Sequence, residues 1–381
     1  MTATIKQAYQ QIFNDEPVLF FSPGRINIIG EHTDYNGGFV LPAAIDKGIY
    51  LAVNKRTDTT IELYAASFNE SYSCTTQTVA KANKQWPNYI LGVVNELQQA
   101  GYEIGGFNLV MDGDLPIGAG LSSSAAVECA TIFALNDLFA LNISKQKMVQ
   151  LAQKAEHNFA GVLCGIMDQF ASMFGKKDHV IKLDCRSLAY EYVPLQLEGA
   201  KIVLLNTNVK HSLASTAYNT RRNECAKGVH WIQEKYHTVN LLRDATINML
   251  DECVKENDAT VDSRCRFVIE EINRLLQGCE DLKQGRLAAL GKKMFATHDG
   301  LSHSYEVSCK ELDFLVDAVR DNPNVIGARM MGGGFGGCTI NLVKENAIEA
   351  LIARLSNSYQ QATGLTLDAY IVQTDDGTRR L

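Results

Sequence analysis

A glycine- and serine-rich stretch in the first third of the chain, residues 115–126, most constrains what this sequence can fold into. Before it, Phe107, Leu109 and Met111 recur at every second position, as in a β-strand. After it, residues 125–139 are rich in helix formers and contain no proline. The stretch is therefore expected to join a strand to the N-terminus of a helix.

That position gives the loop a chemical meaning. A helix N-terminus presents unpaired N–H groups and partial positive charge, which bind anions such as phosphate. Gly118 and Gly120 can take positive φ and approach a phosphate closely, and residues 122–124 supply serine hydroxyls as donors or as one ligand for Mg²⁺. Serines before a helix also act as plain caps, and glycines as plain turns. The loop alone leaves both interpretations open.

Composition excludes several other classes of function. The chain has 381 residues, 46% hydrophobic and 21% charged, which is enough for two globular domains. A net charge of -7 without a basic run argues against nucleic-acid binding. No stretch approaches the ~20 apolar residues that span a bilayer, and the N-terminus lacks a signal-peptide pattern. A cytoplasmic protein with no membrane partner is therefore expected.

Cysteine spacing adds a further exclusion. The ten cysteines are scattered and form no C-x-x-C pair. Neither a zinc site nor a disulfide framework is therefore indicated. We expect the thiols to be reduced.

A second polar stretch covers residues 22–38. It places Arg25, Glu31, His32 and Asp34 among glycines, with more polar groups than a turn needs. Carboxylates in a short loop can each accept bonds from adjacent hydroxyls, as a sugar would require. A solvated loop, a helix cap or an adventitious metal site are the alternatives. Composition does not decide between them.

Two acidic residues follow the glycine-rich loop along the chain. Asp168 has apolar neighbours, which would bury it, and a buried carboxylate needs a partner such as Arg25. Held ionised in this way, it could orient or deprotonate a hydroxyl, although an ion-paired or capping aspartate is an equally valid interpretation. Glu156 lies on a helix predicted over residues 144–159, off its apolar stripe, where it is either a Mg²⁺ ligand opposite Ser124 or a solvated glutamate.

Aromatic residues and a second glycine cluster leave similar choices. Trp86 could stack on a base or lie in the core, and Tyr218, on a helix predicted from residue 211, could donate to a ligand or simply lie on the helix face. Residues 332–337 satisfy G-x-G-x-x-G but lead into a strand, so they are not a dinucleotide fingerprint, and no P-loop motif occurs. A composition change near residues 195–200 indicates a domain boundary there.

Three runs, residues 24–36, 118–124 and 331–337, resemble in that order the motifs of the kinase superfamily of galactokinase, homoserine kinase, mevalonate kinase and phosphomevalonate kinase, the GHMP kinases. The Gly-Glu-His-Thr-Asp-Tyr-Asn run of the first motif is similar to that of the galactokinase family. The resemblance implies transfer of the ATP γ-phosphoryl group to the C1 hydroxyl of α-D-galactose, the first committed step of galactose utilisation in the Leloir pathway.

The resemblance also implies roles for individual residues. Asp168 matches the catalytic aspartate and Arg25 the arginine beside it, while Ser124 and Glu156 match the Mg²⁺ ligands. The residues that match the family's sugar-binding positions are Glu31, His32, Thr33, Asp34, Gly165, Asp168 and Tyr218. Nucleotide-binding positions are matched by Trp86, Gly118, Ala119, Gly120, Leu121, Ser122, Ser123 and Ser124.

The implied fold is α+β in two domains. An N-terminal mixed sheet with helices, like domain 2 of ribosomal protein S5, would cover residues 1–198. An antiparallel sheet with helices would cover residues 199–381, with the active site in the cleft between them. A monomer is expected, with a weak dimer as the alternative. Kinases for N-acetylgalactosamine and non-catalytic galactose sensors of the same fold remain alternatives. The chain departs from the family's usual pattern at residues 302–305, which we expect to lie away from the chemistry.

Overall fold

The computed structural model describes residues 1–116, 118–162, 164–209 and 214–381. Within these residues the strands are β1 (Val18–Asn27), β2 (Phe39–Val40), β3 (Pro42–Lys55), β4 (Thr60–Ala65), β5 (Glu70–Thr75), β6 (Phe107–Gly113), β7 (His179–Asp184), β8 (Tyr190–Pro194), β9 (Ala200–Asn206), β10 (Val325–Met330), β11 (Cys338–Lys344), β12 (Asp368–Val372) and β13 (Arg379–Arg380).

The α-helices are α1 (Thr2–Phe13), α2 (Gln85–Gln99), α3 (Ser123–Phe139), α4 (Lys145–Ala155), α5 (Met167–Phe174), α6 (Ala214–Lys235), α7 (Ile247–Cys253), α8 (Ala259–Lys283), α9 (Leu287–Asp299), α10 (Lys310–Arg320) and α11 (Ile348–Thr363). Two π-helical turns, Glu156–Ala160 and Gly300–Ser304, follow α4 and α9 directly. Among the described residues, no helix has the length and apolar character to cross a membrane.

The first sheet is mixed and has six strands in the order β13-β1-β3-β6-β4-β5. Its neighbours are antiparallel except β4 and β6, which run parallel. Strand β1 shifts register between Pro23 and Arg25, and this irregularity lies at the start of the polar stretch. Helices α3 and α5 pack on β1 and β3, so the glycine-rich loop and α5 both lie against the sheet that carries Arg25.

The second sheet, in the order β10-β11-β9-β12, is antiparallel throughout, and a small antiparallel sheet β2-β7-β8 lies beside the first. One continuous apolar core reaches from Phe20 in the first sheet to Ile340 in the second. Residues of the chain's second half also complete the first sheet, because β13 pairs with β1 and Thr374 bridges to Ile45. The division at residues 198 and 199 stays a prediction.

The expected strand–loop–helix unit is confirmed, since β6 ends at Gly113 and α3 begins at Ser123. The helix predicted over residues 144–159 begins as expected, with the Ser144 hydroxyl accepting from the Lys147 amide. It ends as an α-helix at Ala155 and continues as the first π turn, a feature common at functional sites. The helix predicted from residue 211 is present as α6, although residues 210–213 lie outside the described part.

Helix α9 packs so closely on β10 that only glycine fits at one position. A Cβ on Gly291 would lie 1.9 Å from the backbone oxygen of Ile326. We expect Gly291→Ala to lower the free energy of unfolding by roughly 2 kcal/mol or more, since backbone cannot move aside as a side chain can. Urea unfolding followed by circular dichroism measures this.

Gly278 in α8 is the matched control. A Cβ there would meet side chains only, with Leu290 nearest at 3.2 Å and Ile29 and Lys293 at 4.0 Å. Gly278→Ala should change stability little, because the helix propensity of alanine offsets a small displacement. If the two variants had equal urea midpoints of unfolding, close packing of α9 on β10 at Gly291 would not be the reason for the glycine.

Candidate active site

Two neighbouring clefts contain most of the residues that the sequence singles out. The first is a cavity of about 400 Å³, within the range of small-molecule sites. The first motif, the segment that leads into α5, α6 and the third motif line it, and they contribute Arg25, Glu31, His32, Asp34, Gly165, Asp168 and Tyr218 among others. The second cleft, about 330 Å³, lies between the glycine-rich loop and residues 331–337. Arg25 and residues 332–335 line both clefts, so the two are contiguous.

Arg25 and Asp168 form an ion pair where the clefts meet. The guanidinium donates from Nε to Asp168 Oδ1 at 2.7 Å and from Nη2 to Oδ2 at 3.0 Å. The Arg25 side chain is only 6% exposed and that of Asp168 is 23% exposed. The arginine is therefore almost completely removed from water, whereas part of the aspartate still faces the cleft. The predicted partner of Asp168 is confirmed, and the bidentate geometry fixes the plane of its carboxylate.

The glycine-rich loop is built around the same pair. Arg25 donates from Nη1 to the Gly120 oxygen and from its backbone N–H to the Leu121 oxygen. Ser122 takes a left-handed conformation and donates from Oγ to Asp168 Oδ2 at 2.5 Å. Its hydroxyl therefore does not cap α3, and no side-chain cap bond is present at this helix start within the described residues. For Ser122, the plain cap interpretation is wrong.

The loop's remaining residues divide into exposed and anchored ones. Gly118 and Gly120 take positive φ, as expected, and line the second cleft together with Ser122. The side chains of Ala119 and Leu121 are buried in the core and hold the loop in place. The anchored loop thus fixes the first-turn amides of α3 beside the second cleft. This is the arrangement that binds phosphate groups.

Ser124 and Glu156 meet as the sequence suggested. Ser124 Oγ donates to Glu156 Oε1 at 2.8 Å, and the Gln169 amide donates to Glu156 Oε2 at 2.6 Å and to Glu128 Oε2 at 3.1 Å. Burial raises the pKa of the Glu156 carboxyl. No group of three or more His, Cys, Asp or Glu side chains in the described part could hold a metal. The Ser124–Glu156 oxygens nevertheless suit Mg²⁺, which takes few protein ligands and completes its shell with phosphates and water.

The first motif presents its side chains to the first cleft from a tight turn. Glu31 is 3% exposed, and its Oε1 accepts from Arg329 Nη2 at 2.9 Å and from the Gly332 amide at 3.0 Å. Burial raises the pKa of Asp34 to about 6, and a Cβ on Gly165 would lie 1.7 Å from Asp34 Oδ2. Gly165 is therefore required by the position of Asp34.

His32 lies in the same turn and is 5% exposed. Burial lowers its pKa to about 4, so the imidazole is neutral near pH 7. Its ring centroid is 5.3 Å from that of Tyr218, the one α6 residue that the sequence singled out for this site. His32 and Tyr218 thus form one wall of the first cleft.

Two predicted ligand contacts differ from expectation. Thr33 is fully buried, and its hydroxyl donates to the Gly30 and Phe39 carbonyl oxygens, so it holds the turn instead of facing the cleft. Trp86 is 9% exposed, donates from Nε1 to Glu70 Oε2 at 2.8 Å, and lines neither cleft. Its place beside an adenine stays a prediction.

The structure adds residues that sequence reasoning missed. Arg329 is fully buried in β10 and donates to the backbone oxygen of Ile28 at 2.8 Å as well as to Glu31. Tyr305 was expected to lie away from the chemistry, and this is wrong, because its hydroxyl is 2.8 Å from that of Tyr35, which bonds His32. A lone charge in an apolar strand was the only available signal for Arg329.

Comparison with known proteins identifies the family to which the chain is similar. Residues 7–55 match the galactokinase galactose-binding signature, residues 88–176 the GHMP kinases N terminal domain, and residues 279–361 the GHMP kinases C terminal. The galactokinase of Thermotoga maritima is 42% identical over 94% of this chain and 99% of that protein. The galactokinase of Roseiflexus sp. is 39% identical over 100% of this chain and 97% of that protein.

Solved structures extend the comparison to the fold. Lactococcus lactis galactokinase complexed with galactose superposes with a TM-score of 0.95, at 36% identity and 100% coverage of both chains. The mevalonate kinase of Methanococcus jannaschii has a TM-score of 0.65 at 18% identity, covering 95% of this chain and 99% of that one, and shares the fold alone. The chain therefore has the two-domain GHMP kinase fold and belongs to the galactokinase family.

Proposed function

We propose that this chain transfers the γ-phosphoryl group of ATP to the C1 hydroxyl of α-D-galactose, giving α-D-galactose 1-phosphate and ADP. The observation that carries the proposal is the meeting of two clefts at the Arg25–Asp168 pair. One cleft has the size and polar groups of a monosaccharide site, and the other is bordered by the N-terminus of α3. Donor and acceptor bound in them would face each other across this pair.

The sugar site is proposed from hydrogen-bonding capacity. Glu31, Asp34 and Asp168 bring carboxylates to a single small cleft, where each can accept bonds from neighbouring hydroxyls. His32 and Tyr218 add a nitrogen and a phenol to the same wall. The galactose carried by the Lactococcus lactis protein, whose fold superposes over the full chain, supports galactose as the sugar.

The nucleotide site is proposed at the glycine-rich loop. The phosphates of ATP would lie against the amides of residues 118–124, where the partial positive charge of α3 favours them. We further propose that Ser124 and Glu156 hold Mg²⁺. When bound, Mg²⁺ supplies positive charge that neutralises the phosphate oxygens.

The mechanism then depends on positioning and charge. Asp168 accepts a hydrogen bond from the C1 hydroxyl and takes its proton as the oxygen bonds to the γ-phosphorus and the bond to ADP breaks. Arg25 and Ser122 fix the direction of the Asp168 oxygens before the sugar arrives. Amides at the start of α3 stabilise the negative charge of the transferring group. Most of the rate enhancement therefore comes from groups that are positioned before the substrates bind.

We also propose a cytoplasmic monomer. All ten cysteines carry free thiols, as expected for a reducing compartment. Large exposed apolar side chains in the described part, such as Phe68, Tyr190 and Ile371, lie on three different elements, as expected for apolar residues scattered singly over a surface.

Asp168→Asn tests the mechanism directly. The variant keeps the shape of the side chain but cannot take a proton, so we expect kcat for galactose to fall by about 10²–10⁴-fold. Nucleotide affinity, measured by calorimetric titration, should change less than about threefold, because Asp168 belongs to the sugar side of the pair. A coupled ADP-release assay measures the turnover.

Asp317→Asn in α10, whose side chain is 70% exposed, is the matched control and should retain full activity. A fully active Asp168→Asn enzyme would contradict the mechanism. The same assay on the unaltered chain with galactose, N-acetylgalactosamine, glucose and talose tests the substrate. Faster turnover of N-acetylgalactosamine would reassign the sugar, and sugar binding without ADP release would indicate a sensor.

Ser124→Ala tests the proposed metal ligand. Removing one oxygen should raise the Mg²⁺ concentration at half-maximal activity by about tenfold or more. The dissociation constant of Mn²⁺ in the presence of ADP, measured by electron paramagnetic resonance, should rise in parallel. Ser73→Ala removes a similar bond, from Ser73 Oγ to Glu62 Oε1 at 2.8 Å, on the exposed strand β5 and serves as control. Unchanged Mn²⁺ affinity in Ser124→Ala would exclude the serine as a ligand.

The raised pKa of Asp34 predicts a pH dependence. A carboxyl with a pKa of about 6 is protonated below that pH and then loses an acceptor for a sugar hydroxyl. Galactose affinity should therefore fall as pH decreases through 6, by up to about tenfold per unit, while ATP affinity stays nearly constant. Calorimetry between pH 5 and 8 measures both.

In Asp34→Asn, galactose should bind weakly with a flat profile over the same pH range. His32 does not account for the effect, because its pKa of about 4 lies below the range tested. A slope that persists in Asp34→Asn would assign the titration to another group.

A further inference from the structure

His32 presents a nitrogen to the sugar cleft that makes no hydrogen bond within the described part of the chain, although the Gly333 backbone lies close to the imidazole. Its Nε2 atom is buried and has no hydrogen-bond partner in the described part of the chain, although the residue lines the cleft. A buried polar atom without a partner is costly unless a ligand satisfies it. Nε2 is therefore available to one hydroxyl of a bound sugar.

The opposite nitrogen of His32 is tied into a chain of hydroxyls, which we call the tyrosine relay. Nδ1 of His32 lies 2.8 Å from the Tyr35 hydroxyl, which lies 2.8 Å from the Tyr305 hydroxyl. The Tyr305 hydroxyl in turn lies 3.2 Å from Cys225 Sγ in α6. The relay thus joins the first motif to the segment after the second π turn and to α6.

The relay is held rigidly from several sides. Tyr305 is fully buried, and its backbone oxygen accepts from Arg221 Nε at 2.6 Å. The Tyr305 ring lies 4.9 Å from that of His32 and 5.0 Å from that of Phe267. The tyrosine hydroxyls therefore have little freedom to choose other partners.

The chemistry of imidazole makes this arrangement consequential. A neutral imidazole has one donor nitrogen and one acceptor nitrogen, and the bond at Nδ1 decides which role Nε2 has. Each phenol hydroxyl has a single proton, so if Tyr35 donates to His32, then Tyr305 must donate to Tyr35. If Tyr35 donates to His32, then Nε2 carries the proton, whereas in the reverse direction Nε2 is an acceptor.

We propose that Tyr35 and Tyr305 are positioning residues that fix the ring orientation and tautomer of His32, and so determine how Nε2 binds one hydroxyl of galactose. The inference rests on the proposed sugar site. It adds a specificity element that extends from the cleft to the hydroxyl of Tyr305, 270 positions further along the chain than Tyr35.

The first test is spectroscopic and needs no sugar. Long-range ¹H–¹⁵N spectra of the histidine rings, with His32→Asn used to assign the signal, report which nitrogen of His32 is protonated. The unaltered chain should show one tautomer, and Tyr35→Phe should show the other tautomer or a mixture. An unchanged spectrum in Tyr35→Phe would overturn the relay, whatever the enzyme's activity.

The second test is kinetic. Tyr35→Phe and Tyr305→Phe should each raise KM for galactose by about tenfold, while kcat and KM for ATP change less than about threefold. Tyr64→Phe, which removes an exposed hydroxyl bonded to Asn69 in the first sheet, is the matched control and should match the unaltered chain. Thermal unfolding of each variant separates a loss of folding from a loss of binding.

A double-mutant cycle separates positioning from general destabilisation. On a His32→Asn background, Tyr35→Phe should raise KM little further, because its effect acts through His32. The 2-, 3-, 4- and 6-deoxygalactoses identify the hydroxyl that Nε2 binds. One of them should have a higher KM than galactose with the unaltered chain, but the same KM as galactose with Tyr35→Phe and with His32→Asn. An undiminished effect of Tyr35→Phe on the His32→Asn background would overturn the proposal. Failure of the unaltered chain to phosphorylate galactose would instead contradict the proposed function.

Discussion

The ion pair between Arg25 and Asp168 is the contact on which the rest of the site depends. Arg25 comes from β1 of the first sheet, and the same side chain binds the Asp168 carboxylate of α5 and a carbonyl of the glycine-rich loop. Removing one partner of such a buried pair leaves an uncompensated charge, which typically costs about 3–5 kcal/mol. Loop, strand and acid are therefore fixed relative to one another before any ligand binds, which is the condition for catalysis by positioning.

A second buried arginine holds segments from the two halves of the chain together, as Arg25 does within the first half. Arg329 in β10 donates to the Ile28 carbonyl and to Glu31, whose carboxylate also accepts from the Gly332 amide. The glycine cluster at residues 332–337 is thereby attached to the first motif. This explains why a run that fails as a dinucleotide fingerprint still borders both clefts: its backbone, held by Glu31, forms part of the lining of each.

The sequence predicted those parts of the site that depend on local pattern or on a strong chemical need. The loop before α3 follows from strand alternation and helix formers, and the partner of Asp168 follows from the cost of burying a carboxylate among apolar neighbours. Arg329 and Tyr305 were not predicted, because their roles depend on contacts about 300 and 270 positions away along the chain. Thr33 was misassigned because a motif shows which residues share a turn but not which of them face inward.

The pairing of β13 with β1 has a consequence for how ligands reach the site. The chain crosses from the second half back to the strand that carries Arg25, and the bridge from Thr374 to Ile45 reinforces this return. The halves are therefore joined by two chain crossings, so a wide hinge motion would have to bend the chain both before β9 and after β12, and break the bonds of Arg329. We therefore expect substrate entry and product exit to need adjustment of the surrounding loops, while the two sheets keep their relative position.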